Sequence, residues 1–346
     1  MAHGSWLAFI VTPNILIVRF SSIGDLLLTT PLLRAIRARH PDSRITFVVR
    51  ADMDDTLRNN PRITKLISWE RGSPLGDLAR TLRSEAWTHR LDLHGSLRSH
   101  LLRRLVGGRW HGYPKHRFRR GLLIRSHGKL GGMLGPVAER YFAAARGLDV
   151  TPDGGPPEFF TTAAAESRAE VILTRHDLGR QRPLIAFAPG AAHFTKRWPE
   201  WHWIGLIKEL GAEHDVIVLG GKAEETIAAR IADASPGRAV SVAGQFRHDT
   251  NAAILKRAQR LVAGDTGLLH LATAVGTPVV GIYGPTVEAF GHFPYRAQAV
   301  AVQHDLSCRP CSSQGGRRCP LGHHDCLVKL EPREVIEAAG LGASSS

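Results

Sequence analysis

Short apolar runs alternate with amphipathic segments along most of the 346-residue chain. The runs are rich in valine, isoleucine and leucine without polar alternation, which is typical of strands covered on both faces of a parallel sheet. Segments of helical periodicity separate them, so the pattern predicts an α/β protein built from βαβ units. In the first half the predicted strands are 15–20, 45–50, 66–69, 90–93 and 108–112.

The alternation is interrupted at residues 154–157, Gly-Gly-Pro-Pro, which predict an irregular connection between two halves. The elements predicted beyond it are helix 163–176, strand 184–188, helix 200–213, strand 215–219, helix 223–234, strand 239–242, helix 250–258 and strand 260–264. We therefore expect two domains, 1–165 and 166–330, followed by a C-terminal helix and a disordered tail over 331–346.

The segment 261–272 passes from a buried strand through a small polar turn directly into a helix. Thr266 and Gly267 permit a close approach of backbone to a ligand, and His270 lies on the first turns of the helix. Because the first N–H groups of a helix have no intrahelical partner, this turn favours an anion such as a phosphate. The alternative is that Asp265 and Thr266 are ordinary helix caps.

A second apolar strand opens into another Gly-, Pro- and Thr-rich turn at 276–286. Two such neighbouring strand ends describe the carboxyl edge of a doubly wound sheet, where nucleotides bind. In the first half, strand 15–20 opens into Ser-Ser-Ile-Gly-Asp and a helix predicted over 26–40. The turn lacks G-x-G-x-x-G, which disfavours a nicotinamide dinucleotide, and offers the Asp25 carboxylate instead. Asp25 is alternatively a first-turn acid that matches the helix dipole.

Five motifs occur in order between residues 14 and 335, and together they resemble those of glycosyltransferase family 9, the ADP-heptose:lipopolysaccharide heptosyltransferases. They lie at 18–41 (VRFSSIGDLLLTTPLLRAIRARHP), 91–99 (LDLHGSLRS), 188–199 (APG with TKRWP), 218–224 (VLGGKAE) and 265–286 (DTGLLHLATAVGTPVVGIYGPT). The resemblance implies a GT-B fold, in which two doubly wound Rossmann-like domains face each other across a cleft. The first domain then binds the acceptor and the second the nucleotide sugar, and the last helix packs back on the first domain.

The resemblance also implies a role for individual residues. Asp25 matches the catalytic base, which takes a proton from the acceptor hydroxyl. The positions that match the donor site are Lys196, Glu224, Asp265, Thr266, Gly267 and His270. The positions expected on the acceptor side are Ser22, Gly24, Arg98, Arg117 and Arg120. Lys196 and the helix turn then hold the diphosphate and Glu224 the ribose, so we expect neither a metal nor a cofactor.

The reaction implied is metal-independent transfer of heptose from ADP-heptose to the inner core of lipopolysaccharide, with inversion because it is a single displacement. One alternative is a different sugar from another nucleotide donor, since a few pocket residues decide sugar identity. Another is a non-catalytic anion-binding protein on the same fold. The joint presence of Asp25, Lys196 and the 265–267 turn argues against a non-catalytic anion-binding protein.

The net charge of the chain is +14, and much of the positive charge lies between residues 93 and 138, where no Asp or Glu occurs. The basic residues there are Arg98, Arg103, Arg104, Arg109, Lys115, Arg117, Arg119, Arg120, Arg125 and Lys129. No nucleic-acid-binding motif accompanies them, so we expect a lipid A-core acceptor and an anionic membrane surface as partners, with a solvated loop as the alternative. No apolar run is long enough to span a membrane, and the patch 6–11 is too short for a signal peptide. A cytoplasmic protein, peripheral at the inner leaflet, is the expectation.

Four cysteines lie near the C-terminus with the spacing C-x2-C-x7-C-x6-C: Cys308, Cys311, Cys319 and Cys326. Four thiolates could close a tetrahedral zinc site, and four reduced thiols that pack a loop fit the spacing as well. The run is tighter than paired zinc knuckles, and we expect a structural role without metal. A similar cysteine-rich segment is familiar in proteins resembling heptosyltransferase II, so the resemblance is to that type.

Overall fold

The computed structural model describes residues 12–210 and 213–341, so the apolar patch 6–11 and the predicted disordered tail lie outside it. The first sheet is parallel, with the order β3-β2-β1-β4-β5. Its strands are β1 (Asn14–Val18), β2 (Arg44–Arg50), β3 (Lys65–Trp69), β4 (His89–Asp92) and β5 (His111–Gly112). All five predicted strands are present, and the fifth is reduced to two residues.

Helices of the first half cover both faces of this sheet. They are α1 (Ile23–Leu27), α2 (Thr30–Arg39), α3 (Leu75–Arg83), α4 (Leu97–Val106), α5 (Arg117–Arg125) and α6 (Val137–Tyr141). The single helix predicted over 26–40 is wrong, because the chain breaks between α1 and α2. There the hydroxyls of Thr29 and Thr30 donate to the carbonyls of Leu26 and Leu27, and Pro31 has no N–H for the helix ladder.

The second sheet is also parallel, with the order β11-β10-β9-β6-β7-β8. Its strands are β6 (Leu184–Ala188), β7 (Asp215–Val218), β8 (Ala239–Ser241), β9 (Arg260–Gly264), β10 (Val279–Ile282) and β11 (Ala299–Val302). The accompanying helices are α7 (Ala163–Arg175), α8 (Glu200–Glu209), α9 (Glu225–Asp233), α10 (His248–Leu255), α11 (Gly267–Ala274), α12 (Asp325–Val328) and α13 (Pro332–Ala339). The pattern gave no indication of β11, a largely exposed edge strand.

The C-terminal helix α13 packs on the second domain, so the expectation that it returns to the first domain is wrong. Its apolar side chains Val335, Ile336 and Ala339 lie in the core that also contains Trp203 of α8 and Val302 of β11. The apolar face of this helix is covered by α8, β10 and β11 of the second domain.

The two domains meet where each sheet reverses its strand order, between β1 and β4 and between β9 and β6. Such points create a crevice at the carboxyl ends of the strands. The short helices α1 and α11 begin there and pack against each other. A second contact joins Asp55 of the first domain to Arg247 and His248 of the second, at 3.1 and 2.9 Å. Asp55 and its neighbour Asp54 are therefore buried and paired with cations.

Candidate active site

Asp25 lies on the first turn of α1, at the carboxyl end of β1, and is held by a buried cation. The guanidinium of Arg19, the residue after β1, forms an ion pair with the Asp25 carboxylate and also donates to the Leu93 carbonyl. Ser22 donates its hydroxyl to Asp25 at 2.9 Å. Burial alone would raise the pKa of Asp25, but Arg19 holds it well below its usual range. Asp25 is therefore ionised at neutral pH.

The structure bears out the interpretation of Asp25 as a first-turn acid, and its role as a catalytic base stays a prediction. Its carboxylate completes a capping box with Ser22, as a first-turn acid does. The same carboxylate faces the second domain, where the His292 Nε2 atom lies 3.9 Å away. His292 follows β10 in an irregular segment, and burial lowers its pKa to about 4, so the ring is neutral. The sequence reasoning missed Arg19 and His292.

On the second domain, Lys196 and Asp265 form an ion pair at the carboxyl ends of β6 and β9. The lysine Nζ atom lies 2.6 Å from Asp265 Oδ2, and the Thr286 hydroxyl donates to the same oxygen at 2.9 Å. Burial opposes ionisation of Asp265, yet Lys196 keeps its pKa below the usual value. Asp265 does not cap α11, since the N-cap is Thr266, so that alternative is wrong for Asp265.

Two buried polar atoms at the start of α11 have no hydrogen-bond partner within residues 12–210 and 213–341. They are Thr266 Oγ1 and His270 Nδ1. His270 is almost fully buried, and burial lowers its pKa, so it presents a neutral ring beside Asp265. Buried polar groups are normally satisfied, so these atoms and the first-turn N–H groups suit a polar ligand.

Close backbone approach across the cleft explains the two glycines of the predicted site. A Cβ on Gly24 would lie 2.4 Å from His270 Cδ2, and one on Gly267 would lie 3.0 Å from Ile23 Cβ. Gly24 therefore lies at the contact between the domains, and its predicted acceptor role stays a prediction. Ser22 is placed beside the predicted base through its hydrogen bond. Asp25 and His270 lie on opposite sides of the cleft and interact electrostatically.

Glu224 lies at the same edge of the second sheet, between the turns that follow β6 and β7. Its carboxylate accepts a hydrogen bond from the Gly221 N–H at 2.8 Å. A Cβ on Gly190 would lie 2.2 Å from Glu224 Cγ, so only a glycine at position 190 leaves room for the Glu224 side chain. Nothing in this geometry assigns Glu224 to a ribose, and that role stays a prediction.

The three predicted acceptor arginines do not converge on Asp25. Arg98 lies over the Trp69 ring at 5.2 Å, on the outside of the first domain. Arg117 donates to the Gly95 carbonyl at 2.9 Å, and Arg120 lies 6.0 Å from the Phe290 ring. The predicted residues thus occupy three separate positions along the basic segment.

Two further cations, which the prediction left out of the site, lie near the cleft, as does Arg120, which interacts electrostatically with His292. Burial and the proximity of Arg19 lower the pKa of Lys115 to about 8. Arg140 is buried, and its Nε and Nη1 atoms have no hydrogen-bond partner in the part of the chain that the structure covers. Burial and the neighbouring Arg120 lower the Arg140 pKa. A buried cation without a counter-ion favours an anionic ligand.

The four cysteines are free thiols, and burial raises the pKa of Cys326 to about 11. A search of residues 12–210 and 213–341 finds no cluster of three or more His, Cys, Asp or Glu side chains placed to hold a metal. The loop that carries the four cysteines packs behind the second-domain side of the cleft. Arg309 donates to the Thr286 carbonyl at 2.9 Å, and His324 lies 3.0 Å from the Thr195 carbonyl. The loop therefore supports the turns that present Lys196 and Asp265.

We expect protein purified without added metal or chelator to contain no stoichiometric zinc and to keep its activity in excess chelator. Elemental analysis and a transferase assay check this. A structural zinc supplies folding free energy, so its loss unfolds the local loop. About one zinc per chain, lost together with a fall in Tm when Cys308 and Cys311 are replaced by serine, would contradict the expectation.

Comparisons with known proteins agree with this architecture. Residues 75–321 match the model of glycosyltransferase family 9 (heptosyltransferase). Lipopolysaccharide heptosyltransferase 2 of Escherichia coli K12 is 26% identical over 350 residues, covering 94% of this chain and 97% of that protein. The glycosyl transferase family 9 structure from Veillonella parvula superposes with a TM-score of 0.78 at 22% identity, covering 95% of this chain and 96% of its own. That of E. coli ADP-heptose lps heptosyltransferase II gives 0.71 at 23% identity, covering 94% and 97%. The two domains are therefore a GT-B fold, and the chain belongs to glycosyltransferase family 9, the heptosyltransferases.

Proposed function

We propose that this glycosyltransferase moves heptose from ADP-heptose to the inner core of lipopolysaccharide, with inversion and without a metal ion. The observation that carries the proposal is that Asp25 of one domain faces His270, Asp265 and Lys196 of the other across the cleft. The relatives support the choice of sugar and nucleotide, since the similar E. coli proteins are named as ADP-heptose and lipopolysaccharide heptosyltransferases.

In the proposed reaction an acceptor hydroxyl attacks the anomeric carbon of the donor while its proton passes to the Asp25 carboxylate. The bond between that carbon and the β-phosphate oxygen breaks, and negative charge grows on the ADP leaving group. Lys196 and the first N–H groups of α11 stabilise this charge. The nucleophile enters opposite to the departing phosphate, so a single displacement inverts the anomeric carbon.

The electrostatics favour these roles. Asp25 is ionised and so can accept a proton, while its ion pair with Arg19 fixes the position of the carboxylate and lowers its basicity. A lysine ammonium has three donors, so Lys196 can bind Asp265 through one and present others to a diphosphate. Lys196 and the helix N-terminus supply positive charge to a diphosphate without a metal ion, and this supports the proposal of metal-independent transfer.

The direct test is mass detection of products after incubation with ADP-heptose and a deacylated inner-core acceptor. We expect an acceptor that is heavier by one heptose, equal yield in excess chelator, and the inverted anomeric configuration by NMR. If the protein transfers a sugar from a different nucleotide donor and none from ADP-heptose, it catalyses another reaction of the family. Absence of transfer from every donor favours an anion-binding protein.

We also propose that the protein works at the inner leaflet of the cytoplasmic membrane, where its basic segment meets anionic lipid. None of the helices in the described ranges is long and apolar enough to cross a bilayer. Replacing Arg117, Arg119 and Arg120 by glutamate is expected to reduce use of a lipid-embedded acceptor without changing the KM for the donor. The measurement is transfer at increasing salt, which screens the same charges in the wild type.

A further inference from the structure

Large apolar side chains that face solvent are concentrated in one part of the first domain. Of the eleven exposed large hydrophobic side chains in the described ranges, six lie within residues 97–133: Leu97, Leu101, Leu105, Phe118, Leu130 and Met133. The same stretch contains no Asp or Glu. A stretch of chain that exposes many large apolar side chains and carries only basic charges is unusual where a protein meets only water.

Helix α4 shows the arrangement most clearly. Its inner face carries Leu102 and Val106, which pack in the core beneath the helix. Leu97, Leu101 and Leu105 are spaced four residues apart, so they form one stripe, centred roughly a third of a turn from that inner face. Their exposed fractions are 89%, 48% and 37%, so the stripe is most exposed at the start of the helix. The helix is therefore apolar on two faces, and the outer face has no partner in the described part of the chain.

Cations border this stripe. By helical spacing Arg98 lies on one side of the leucines, and Arg104 and His100 lie on the other. The start of α5 is fixed beside the start of α4, because Arg117 donates to the Gly95 carbonyl, two residues before the helix. Phe118, 83% exposed, follows Arg117 in the chain and so adds a large exposed apolar residue near the start of both helices.

The surface is continuous with the acceptor side of the cleft. A trough of about 690 Å³ runs along α4 and is lined by Leu97, Leu101 and Trp110 among others. It shares His100 and Arg103 with a second cavity of about 230 Å³ at the carboxyl end of β4. Lys115, in that second cavity, interacts electrostatically with Asp25.

We propose that the α4 leucine stripe, Leu97, Leu101 and Leu105, together with Phe118, inserts into an anionic lipid bilayer. The charge pattern selects this occupant: leucines bordered by arginines, on a helix that itself carries no acid, match acyl chains beneath anionic headgroups. The inference deepens the proposed function, because a surface docked in this way holds the cleft next to a lipid-linked acceptor. It adds apolar insertion to the electrostatic attraction that the basic segment already provides.

The test compares the full-length protein with the triple variant Leu97→Gln, Leu101→Gln and Leu105→Gln. Glutamine keeps helix propensity and removes the apolar contact. The matched control replaces three exposed apolar residues of the second domain by glutamine: Val171, Trp201 and Leu321. Sedimentation with vesicles of phosphatidylethanolamine and about one-third phosphatidylglycerol measures binding, at about 0.15 M and about 0.5 M salt.

We expect the stripe variant to bind vesicles at least about tenfold more weakly, with a wild-type Tm, whereas the control binds as the wild type does. Part of the wild-type binding should persist at the higher salt. Equal binding by the stripe variant overturns the proposal, as does wild-type binding that salt abolishes completely. A wild-type dimer that the substitutions dissociate, without vesicle binding, identifies a second copy as the occupant instead.

Activity separates this inference from the proposed function. The stripe variant should transfer heptose to a soluble, deacylated acceptor at the wild-type rate and lose activity only on an acceptor embedded in vesicles. Vesicle binding is measured without substrates, so it tests the docking surface even if no heptose transfer occurs. Conversely, normal transfer to both acceptors by the stripe variant contradicts the docking proposal and leaves the reaction assignment standing.

Discussion

Replacing Asp25 by asparagine is expected to lower kcat by about 10²- to 10⁴-fold while donor binding stays close to that of the wild type. The amide keeps the size of the side chain and its place beside Ser22 but cannot accept the acceptor proton. Steady-state kinetics with a donor-binding measurement check the expectation. A variant that keeps more than about half of the wild-type kcat would show that Asp25 only caps α1.

The substitution also leaves the buried Arg19 guanidinium without its anion, and breaking a buried pair is destabilising. Asp215→Asn is the matched control, because Asp215 is likewise buried and paired with a cation, Arg182, but lies at the amino end of β7, away from the cleft. If the loss of activity at Asp25 came from unfolding, Asp215→Asn would show a comparable loss. We expect it to keep most of its turnover while its Tm falls.

The ion pair with Arg19 sets the pH range over which Asp25 is ionised. Because the pKa of Asp25 in the folded protein lies below its unfolded value of about 3.9, the stabilisation is complete at neutral pH. It is lost only as the pH falls through the folded pKa. The acid limb of kcat/KM should therefore lie below the range of an ordinary carboxylate, and replacing Arg19 by methionine should move it to higher pH.

The residues that could be predicted from the sequence are those whose role is local. The buried strand before Asp25 and the strand, turn and helix around Thr266 are encoded within a few residues, and both were located correctly. Their meeting across the cleft followed from the family motifs. The position of Gly24 against His270 needed the structure, because that contact joins two domains.

The residues that were missed depend on packing between distant segments. His292 belongs to an irregular loop and gains its position from the Tyr283-to-Phe293 region folding over the cleft. Arg140 is one of many arginines, and only burial distinguishes it. Arg19 gave a signal that was available, since a charged residue directly after a fully apolar strand needs a buried counter-ion. The exposed leucines of α4 were not singled out from the sequence, because helical spacing does not say which of two apolar faces is covered.

Lys196→Ala is expected to weaken the donor and slow the reaction together, raising the donor KM and lowering kcat by about 10²- to 10³-fold. The ammonium meets the diphosphate in the ground state, and its effect grows as charge accumulates on the leaving group.

Two further variants serve as controls. Lys196→Arg keeps the charge with a different shape and should retain intermediate activity. Lys208 is an exposed lysine on α8, and Lys208→Ala should behave as the wild type. Initial rates over a range of ADP-heptose concentrations make the comparison. Unchanged donor kinetics in the alanine variant would mean that Lys196 serves only to pair with Asp265.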